Sequence, residues 1–250
     1  MTASPELIAL IAAAFLAGGF VKGLVGTGLP TLALGLLVLA VDLKTAIALM
    51  VVPALLTNLV QALKGGAFGT LVHRLRTMLL TLIVGVVIGT SILAVARSDM
   101  LVIGLGGVLI VYGALGVSAI RLPSPGPGES WQSPLVGLVS GLIAGTTGTL
   151  NVPSALYLQA LGLSRDRLIQ AMGIVFGTGS IVLLVTLTGR SLLTPTLALL
   201  SLAGLPTALI GQALGGRVRR HLDEAMFLRV FFVSLAVIGI ALIVRTLLFG

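Results

Sequence analysis

Two stretches rich in glycine and threonine interrupt long apolar runs, and one of them holds a lysine. The first glycine stretch, residues 18–30, reads GGFVKGLVGTGLP, and the second glycine stretch, residues 144–153, reads AGTTGTLNVP. Glycine and proline interrupt helices, and a lysine in hydrocarbon is costly and usually functional. Free N–H groups at a helix start, hydroxyls and an ammonium are suited to holding a small anion. These residue types therefore predict an anion-binding site.

The composition indicates where such a site would lie. The 250 residues are 57% hydrophobic and 9% charged, with a mean hydropathy of +1.20, whereas soluble domains carry about 25% charged residues. Recurring long apolar stretches are typical of a polytopic helical membrane protein. The net charge of +8 is scattered between these stretches, as in membrane loops, so no nucleic-acid partner is predicted. Without cysteine and with two histidines, the chain shows no metal-ligand cluster, and we predict no cofactor.

A constant offset relates the two halves of the chain. Gly23 matches Gly145 (145 − 23 = 122), and Thr27 matches Thr149 at the same offset. This duplication predicts a first repeat over residues 1–122, a linker over 123–132 and a second repeat over 133–250, within one membrane domain. Each repeat contains three full-length apolar spans, which are approximately 44–64, 76–96, 100–120, 168–188, 195–216 and 226–248.

The element that carries each glycine stretch has two interpretations. It is too long for one simple crossing and too short for two, so it is a broken helix that crosses or a re-entrant hairpin of two short helices. In the hairpin interpretation nine basic residues share one face of the membrane: Lys64, Arg74, Arg76, Arg121, Arg165, Arg167, Arg217, Arg219 and Arg220. The broken-helix interpretation divides them between the two faces. The positive-inside rule therefore favours hairpins, with that face cytoplasmic and both termini periplasmic.

The predicted fold is an all-α polytopic membrane protein with two inverted repeats. Each repeat contains a broken or re-entrant helical hairpin plus three transmembrane helices, a design known from secondary transporters. The halves would be parallel if the broken helix crossed, and the sequence leaves that alternative open. In either case, irregular backbone at membrane depth has to be buried in protein or line a wet cavity. The two glycine stretches are therefore expected to meet in a small polar chamber.

The predicted substrate-binding residues lie in the two stretches and in neighbouring spans. They are Lys22, Gly23, Gly26, Thr27, Gly28, Asn58, Gln61, Gly145, Thr146, Thr147, Gly148, Thr149, Asn151 and Ser180. Thr27, Thr149 and Asn151 are expected to cap the helix starts near Leu29 and near Asn151. Three alternatives stay open: close helix packing for the glycines, snorkelling to the interface for Lys22, and an interhelical hydrogen bond for Asn58.

The acidic residues and histidines bear on how transport would be driven. All seven acids and both histidines fall at predicted helix ends or in loops, so no intramembrane proton relay is evident. An anion leaving an inside-negative cell gains about 2.3 kcal/mol per unit charge per 100 mV. We therefore predict potential-driven anion export, with an anion channel as the alternative. Ser140 and Ser154 lie near the predicted chamber without a base, so no enzymatic activity is predicted.

The motifs GLVGTGLP and GTTGTLNVP resemble the G-x-x-G-x-G-G-G-like stretch of the sulfite exporter TauE/SafE family, although neither keeps the triple glycine. Three more segments are similar to the family at matching places: DLKTAIALMVVPALLTNLVQALKGG, LSRDRLIQAMGIVFGTGS and GGRVRRHLDEAMFLRVFF. The resemblance spans nearly the whole chain. It implies a bacterial inner-membrane permease for sulfite or a small organosulfur anion. The expected partners are that anion and the lipid bilayer, with a homodimer as a possible assembly.

Overall fold

The computed structural model of the protein describes residues 5–118, 123–218 and 224–249. Over these residues the chain forms eleven α-helices and no strand. The helices are α1 (Pro5–Val25), α2 (Leu29–Leu37), α3 (Leu43–Leu63), α4 (Phe68–Val95), α5 (Ser98–Val117), α6 (Glu129–Thr147), α7 (Ser154–Ala160), α8 (Arg165–Gly189), α9 (Pro195–Ala203), α10 (Leu205–Val218) and α11 (Glu224–Phe249). Three basic residues of the predicted cytoplasmic face, Arg121, Arg219 and Arg220, lie outside the described residues.

The long helices confirm an all-α polytopic membrane protein. Seven helical segments of the described chain are long and apolar enough to cross a membrane: α1, α3, α4, α5, α8, α9 together with α10, and α11. The six predicted spans are all among them. Two boundaries differ from the predictions. Helix α4 begins at Phe68, so it includes Arg74, which lies before the predicted span 76–96. Helix α6 begins at Glu129, inside the predicted linker.

The helices form two compact units, and each unit draws on both halves of the sequence. The first unit holds α1, α2, α3 as far as Pro53, α5, and α9 to α11. The second unit holds the rest of α3 with α4, α6, α7 and α8. Lys22 and its glycine stretch belong to the first unit, whereas the second glycine stretch belongs to the second unit. The meeting of the two stretches stays a prediction.

Glycines bring one helix pair in each unit into backbone contact. In the second unit, α6 runs parallel to α4: a Cβ built on Gly141 would lie 2.3 Å from the carbonyl oxygen of Leu82, and one on Gly145 would lie 2.6 Å from that of Val86. In the first unit, α1 runs parallel to α10, and a Cβ on Gly23 would lie 2.1 Å from the carbonyl oxygen of Gln212. Small residues at four-residue spacing allow this close approach in membranes.

Two pairs of repeat-matched helices pack antiparallel. In the second unit, the end of α3 lies along α8, with Asn58 hydrogen-bonded to Ser180 and Gln61 bonded to the carbonyl of Ile169. In the first unit, Gly106 of α5 lies against Ile243 of α11, and Gly113 lies against Phe232. In an inverted repeat, a twofold axis in the membrane plane relates the two halves, so matched helices run in opposite directions. The antiparallel packing of these two pairs agrees with that arrangement. The inversion itself stays a prediction.

Each glycine stretch lies at the turn of a helical hairpin. In the first hairpin, a Cβ on Gly18 of α1 would lie 2.7 Å from the carbonyl oxygen of Leu29 and 3.1 Å from Cβ of Ala33, so α2 folds back along α1. In the second hairpin, the hydroxyls of Ser133 and Tyr157 lie 2.7 Å apart, although 24 residues separate them along the chain. We call α2 and α7 the return arms.

The arms of each hairpin are unequal, which differs from the predicted pair of short helices. The first arms have 21 and 19 residues, whereas the return arms have 9 and 7. At about 1.5 Å per residue, the first arms approach the thickness of a bilayer core and the return arms cover less than half of it. The apolar run before each glycine stretch continues long enough for a full helix, and the proline and glycine that follow shorten the return arm.

Candidate functional site

Lys22 lies buried at the end of α1, one helical turn before the chain reverses. Its relative exposure is 3%, and that of Thr27 is 6%. Gly26 and Gly28 take φ values of +87° and +100°, which side chains with a Cβ rarely adopt, so glycine is required at both positions. The sequence therefore places an amino group in the protein interior next to a tight reversal of the backbone. Burial of the side chain argues against the snorkelling interpretation, in which the amino group would reach water.

The expected side-chain caps at the two return arms are wrong. The N-cap of α2 is Gly28 rather than Thr27, and α7 begins at Ser154 with Pro153 as its N-cap, three residues later than expected. Neither N-cap residue has a side chain that accepts a hydrogen bond. α2 begins at Leu29, as predicted, with Pro30 in its first turn, where proline needs no partner for a backbone N–H. In the second hairpin Pro153 takes the N-cap position that was expected to hold a side-chain cap.

The threonines of the second glycine stretch bond to one another and to the helix that precedes them. The hydroxyls of Thr147 and Thr149 lie 3.0 Å apart, and Thr147 also donates to the carbonyl oxygen of Ile143 at 2.7 Å. The Thr146 hydroxyl donates to the carbonyl of Leu142 at 2.9 Å. Thr147, Thr149 and Asn151 are all buried. The second hairpin thus places a hydroxyl cluster and an amide at its turn, and no charged residue occurs in this stretch.

The glycines predicted for the site divide into two groups. Gly23 and Gly145 form backbone contacts with α10 and α4, so the close-packing interpretation describes them. Gly26, Gly28 and Gly148 have positive φ values at the two turns, so they shape the loops that would face a ligand. The sequence alone does not distinguish the packing glycines from the loop glycines, because both groups occur at similar spacing.

Asn58 and Ser180, which the 122-residue offset matches, form a direct contact beside the second glycine stretch. The Asn58 side-chain nitrogen lies 3.4 Å from the Ser180 hydroxyl oxygen. Next to Ser180, a Cβ on Gly179 would lie 2.7 Å from the side chain of Leu150, so α8 packs on this loop. The interhelical interpretation of Asn58 is therefore correct, and its position still borders the loop. Gln61 donates to the carbonyl of Ile169 at 2.8 Å, which ties α3 to α8.

Ser140 differs from the other buried hydroxyls of α6. It is fully buried, and its oxygen has no hydrogen-bond partner in the described structure. Ser133, Ser140 and Thr147 recur every seven residues, so they lie along one face of α6. The first and last members of this face bond to Tyr157 and Thr149. From the sequence Ser140 is a candidate only for a nucleophile, but an unsatisfied buried hydroxyl also fits a ligand contact.

An ion pair lies at the end of the second hairpin that is farther from the glycine stretch. Arg74 of α4 donates to both carboxylate oxygens of Glu129, at 2.7 and 2.8 Å, and Glu129 begins α6. These hydrogen bonds from Arg74 lower the pKa of the Glu129 carboxyl, and partial burial opposes them. Arg74 also donates to the carbonyl oxygen of Leu161, at the end of α7, at 3.5 Å. Both ends of the hairpin therefore meet at one guanidinium.

This ion pair predicts a pH-dependent contribution to stability. A carboxyl whose pKa is lower in the folded protein stabilises it above the unfolded-state pKa, about 4.3 for glutamate, and this contribution is lost as the pH falls through the folded pKa. We expect Glu129→Gln to lower the melting temperature in detergent at about pH 7. The difference from the unaltered protein should shrink as the pH falls below about 4.3 and close once the pH is below the folded pKa. A difference that persists unchanged at about pH 3 would contradict the assignment.

Comparison with known proteins places the chain in a family. Residues 10–242 match the family model of the sulfite exporter TauE/SafE family. This match includes both glycine stretches and every predicted site residue. No curated protein and no solved structure matches the chain. The family is one of membrane transporters, which agrees with the seven long apolar helices. The chain therefore belongs to the sulfite exporter TauE/SafE family and is a multi-pass membrane protein.

Proposed function

We propose that this protein is a permease that moves a small anion, sulfite or a small organosulfur anion, outward across the bacterial inner membrane. The residues proposed to bind the anion lie in the two glycine stretches. Lys22 would supply the charge, and the hydroxyls of Thr147 and Thr149 and the amide of Asn151 would supply hydrogen bonds. The membership in a transporter family supports transport in general, and the named residues support the anion as the substrate class.

The observation that carries the proposal is the burial of Lys22 in a membrane helix beside a helix start. Charged side chains inside membrane segments are rare and mark binding sites or ion pathways. α2 begins seven residues after Lys22 (29 − 22 = 7), following Gly28 as its N-cap, and the N–H groups of a helix start favour negative charge. α7 has only 7 residues, so the second hairpin would contribute mainly side-chain donors rather than a helix dipole.

The buried hydroxyls define what the site would prefer. A tetrahedral or pyramidal oxyanion presents several acceptor oxygens, which match the Lys22 ammonium and the Asn151 amide. Thr147 and Thr149 would donate to the anion once their hydroxyls turn away from the carbonyl of Ile143 and from each other. We include Ser140 in the proposal, because a bound anion or a water on its path would satisfy its hydroxyl. Both termini would be periplasmic, and the basic ends of α4 and α10 would face the cytoplasm.

Transport into proteoliposomes tests this proposal directly. We expect uptake of sulfite to follow an imposed potential that is positive inside, because a single charge gains about 2.3 kcal/mol per 100 mV, equivalent to a roughly 50-fold concentration ratio. Thiosulfate, sulfate and a short alkylsulfonate, assayed in parallel, would define the substrate. Uptake that ignores the potential and disappears when a pH gradient is collapsed would instead show proton coupling, and would end the potential-driven part of the proposal.

The same preparation separates a carrier from a channel. A carrier saturates with substrate and turns over at a limited rate, whereas a channel gives unitary currents in planar bilayers. We expect saturation and no unitary current, since the short return arms with their tight turns are typical of transporters with discontinuous helices. Liposomes without protein, and liposomes with Lys22→Met protein, serve as controls. Unitary sulfite currents would establish the channel alternative.

A further inference from the structure

We propose that Arg74 and Arg245 are positioning residues that hold the ends of the two return arms and so keep the glycine stretches closed. Each arginine bonds to a backbone carbonyl at the end of one return arm. We call the contacts of Arg74 with Glu129 and Leu161 the second latch, and the contact of Arg245 with Leu39 the first latch. Each latch lies within one compact unit.

The first latch is a single hydrogen bond beside a cavity. Nη1 of Arg245, in the last turns of α11, donates to the carbonyl oxygen of Leu39 at 2.9 Å, and Leu39 lies just beyond the end of α2. A cavity of about 390 Å³ adjoins this contact and is lined on one side by the chain from Val38 to Leu43 and on the other by Arg245 and Thr246. The chain that follows the return arm therefore has open space beside the residue that holds it.

The second latch is stronger because it combines a carbonyl with a carboxylate. The Arg74 guanidinium forms two hydrogen bonds with Glu129, at the start of α6, and a longer one with the carbonyl of Leu161. One cation thereby holds the first residue of the hairpin and the end of its return arm. The Ser133–Tyr157 hydrogen bond, one turn further in, adds a second tie between the two arms.

The two acceptor carbonyls occupy matched positions in the repeat, although the donors do not. Leu161 corresponds to Leu39 (161 − 39 = 122), whereas the positions that correspond to Arg74 and Arg245 are Thr196 and Pro123. The same backbone group in each half is thus held by an arginine, and the two arginines stand at unmatched positions of the repeat. A requirement that arises at both ends explains this pattern better than inheritance from the duplicated sequence does.

The physical requirement comes from the short return arms. The last carbonyls of a helix have no partner within the helix, and inside a membrane an unsatisfied carbonyl is costly. A guanidinium satisfies the carbonyl and also complements the negative end of the helix. The side chains of the return arms are buried, with Leu34 of α2 and Leu158 of α7 both at 0% exposure, so the arginine holds the end of each arm beyond its packed turns. Releasing its arginine should loosen that end first and let the arm move from the helices it packs on, which would expose the glycine stretch to which it is joined.

The absence of cysteine from the chain makes single-cysteine labelling a direct test. Ala33 of α2 and Ala155 of α7 are matched positions (155 − 33 = 122) with exposures of 0% and 1%. Ala33→Cys and Ala155→Cys, reacted with a membrane-impermeant maleimide supplied to both sides of the membrane, report the opening of each return arm. We expect Arg74→Gln to speed labelling of Ala155→Cys at least about tenfold, and to leave the labelling of Ala33→Cys unchanged. Arg245→Gln should do the reverse.

The matched controls are Arg76→Gln on α4 and Arg229→Gln on α11, both exposed arginines of the same helices. Neither should change the labelling of either cysteine. We also expect Ala33→Cys to label faster than Ala155→Cys in the parent protein, because α7 has the additional hydrogen bond between Ser133 and Tyr157. Unchanged labelling of Ala155→Cys after Arg74→Gln would overturn the proposal. So would faster labelling of both cysteines in one variant, which would mark a general loss of stability.

The idea that latch release opens the site rests on the proposed function, but the labelling measurement does not. It needs folded protein in a membrane and no transported substrate. If no anion is transported into proteoliposomes while each arginine variant changes the labelling of its own cysteine, the latches are supported and the proposed substrate is wrong. If transport succeeds and the reporters do not respond, the latches fall alone.

Discussion

Replacing Lys22 by alanine is expected to lower anion transport at least about tenfold while leaving the protein folded. A hydrogen bond to a charged group contributes about 1.5–3 kcal/mol, and about 1.4 kcal/mol already corresponds to a factor of ten. The side chain is 3% exposed in a membrane helix. Truncating a buried side chain also leaves a cavity, which costs some stability, so the melting temperature has to be compared together with the transport rate. Initial rates of sulfite uptake and melting temperatures of the purified variant measure the two effects.

Two further lysine variants separate the charge from the packing of its side chain. Lys22→Met keeps the apolar stem and removes the charge, so it should match the alanine variant in transport. Lys64 lies exposed after the end of α3, so Lys64→Met should transport like the parent. If Lys22→Met transported at the parental rate, Lys22 would have no role in binding the anion, and the proposed site would lose its only charge.

A single methyl group at Gly145 is expected to cause a large loss of stability in the second unit. Its Cβ would lie 2.6 Å from the carbonyl oxygen of Val86 and 2.7 Å from Cα of Gly89. These are backbone atoms of α4, which cannot rotate away as a side chain can. Overpacking costs about 1–3 kcal/mol, and more where backbone has to move. We expect Gly145→Ala to lower the melting temperature by several degrees and to reduce the yield of folded protein.

Gly104 offers the matched comparison with the opposite sign. It is also an internal helix glycine, in α5, but no heavy atom lies within 4 Å of a Cβ built on it. Gly104→Ala should raise stability slightly, since alanine exceeds glycine in helix propensity by about 1 kcal/mol. Equal effects of the two substitutions would show that α4 and α6 are not in backbone contact at Gly145. A large loss of transport with unchanged stability in Gly145→Ala would place the residue in the site instead.

The spans and the repeat were predictable because they depend on chemistry that is local in the sequence. Some twenty apolar residues are enough to identify a crossing, and the offset of 122 is a property of the letters alone. The choice between a re-entrant hairpin and a broken helix that crosses does not depend on the local sequence. It depends on contacts such as that between Ser133 and Tyr157, whose 24-residue separation gives no periodic signal.

The candidate site was predictable in part. The sequence identified Lys22 and the buried threonines, since polar residues within apolar runs are conspicuous. It could not separate the loop glycines from Gly23 and Gly145, and it assigned the caps to Thr27, Thr149 and Asn151 because the competing effect of Pro153 was missed. It also placed Arg74 and Glu129 among loop residues, without any indication that they bond to each other. Pairing of exposed charges is decided by the fold.

The parallel contacts between α1 and α10 and between α4 and α6 have a mechanical consequence. Backbone pressed against backbone leaves no flexible side chains to absorb a sliding movement, so each pair should shift as one stiff body. Each pair also joins a helix of the first half to a helix of the second half. When a helix of one half tilts, its partner helix in the other half therefore tilts with it. This coupling acts through the glycine contacts and does not depend on the linker.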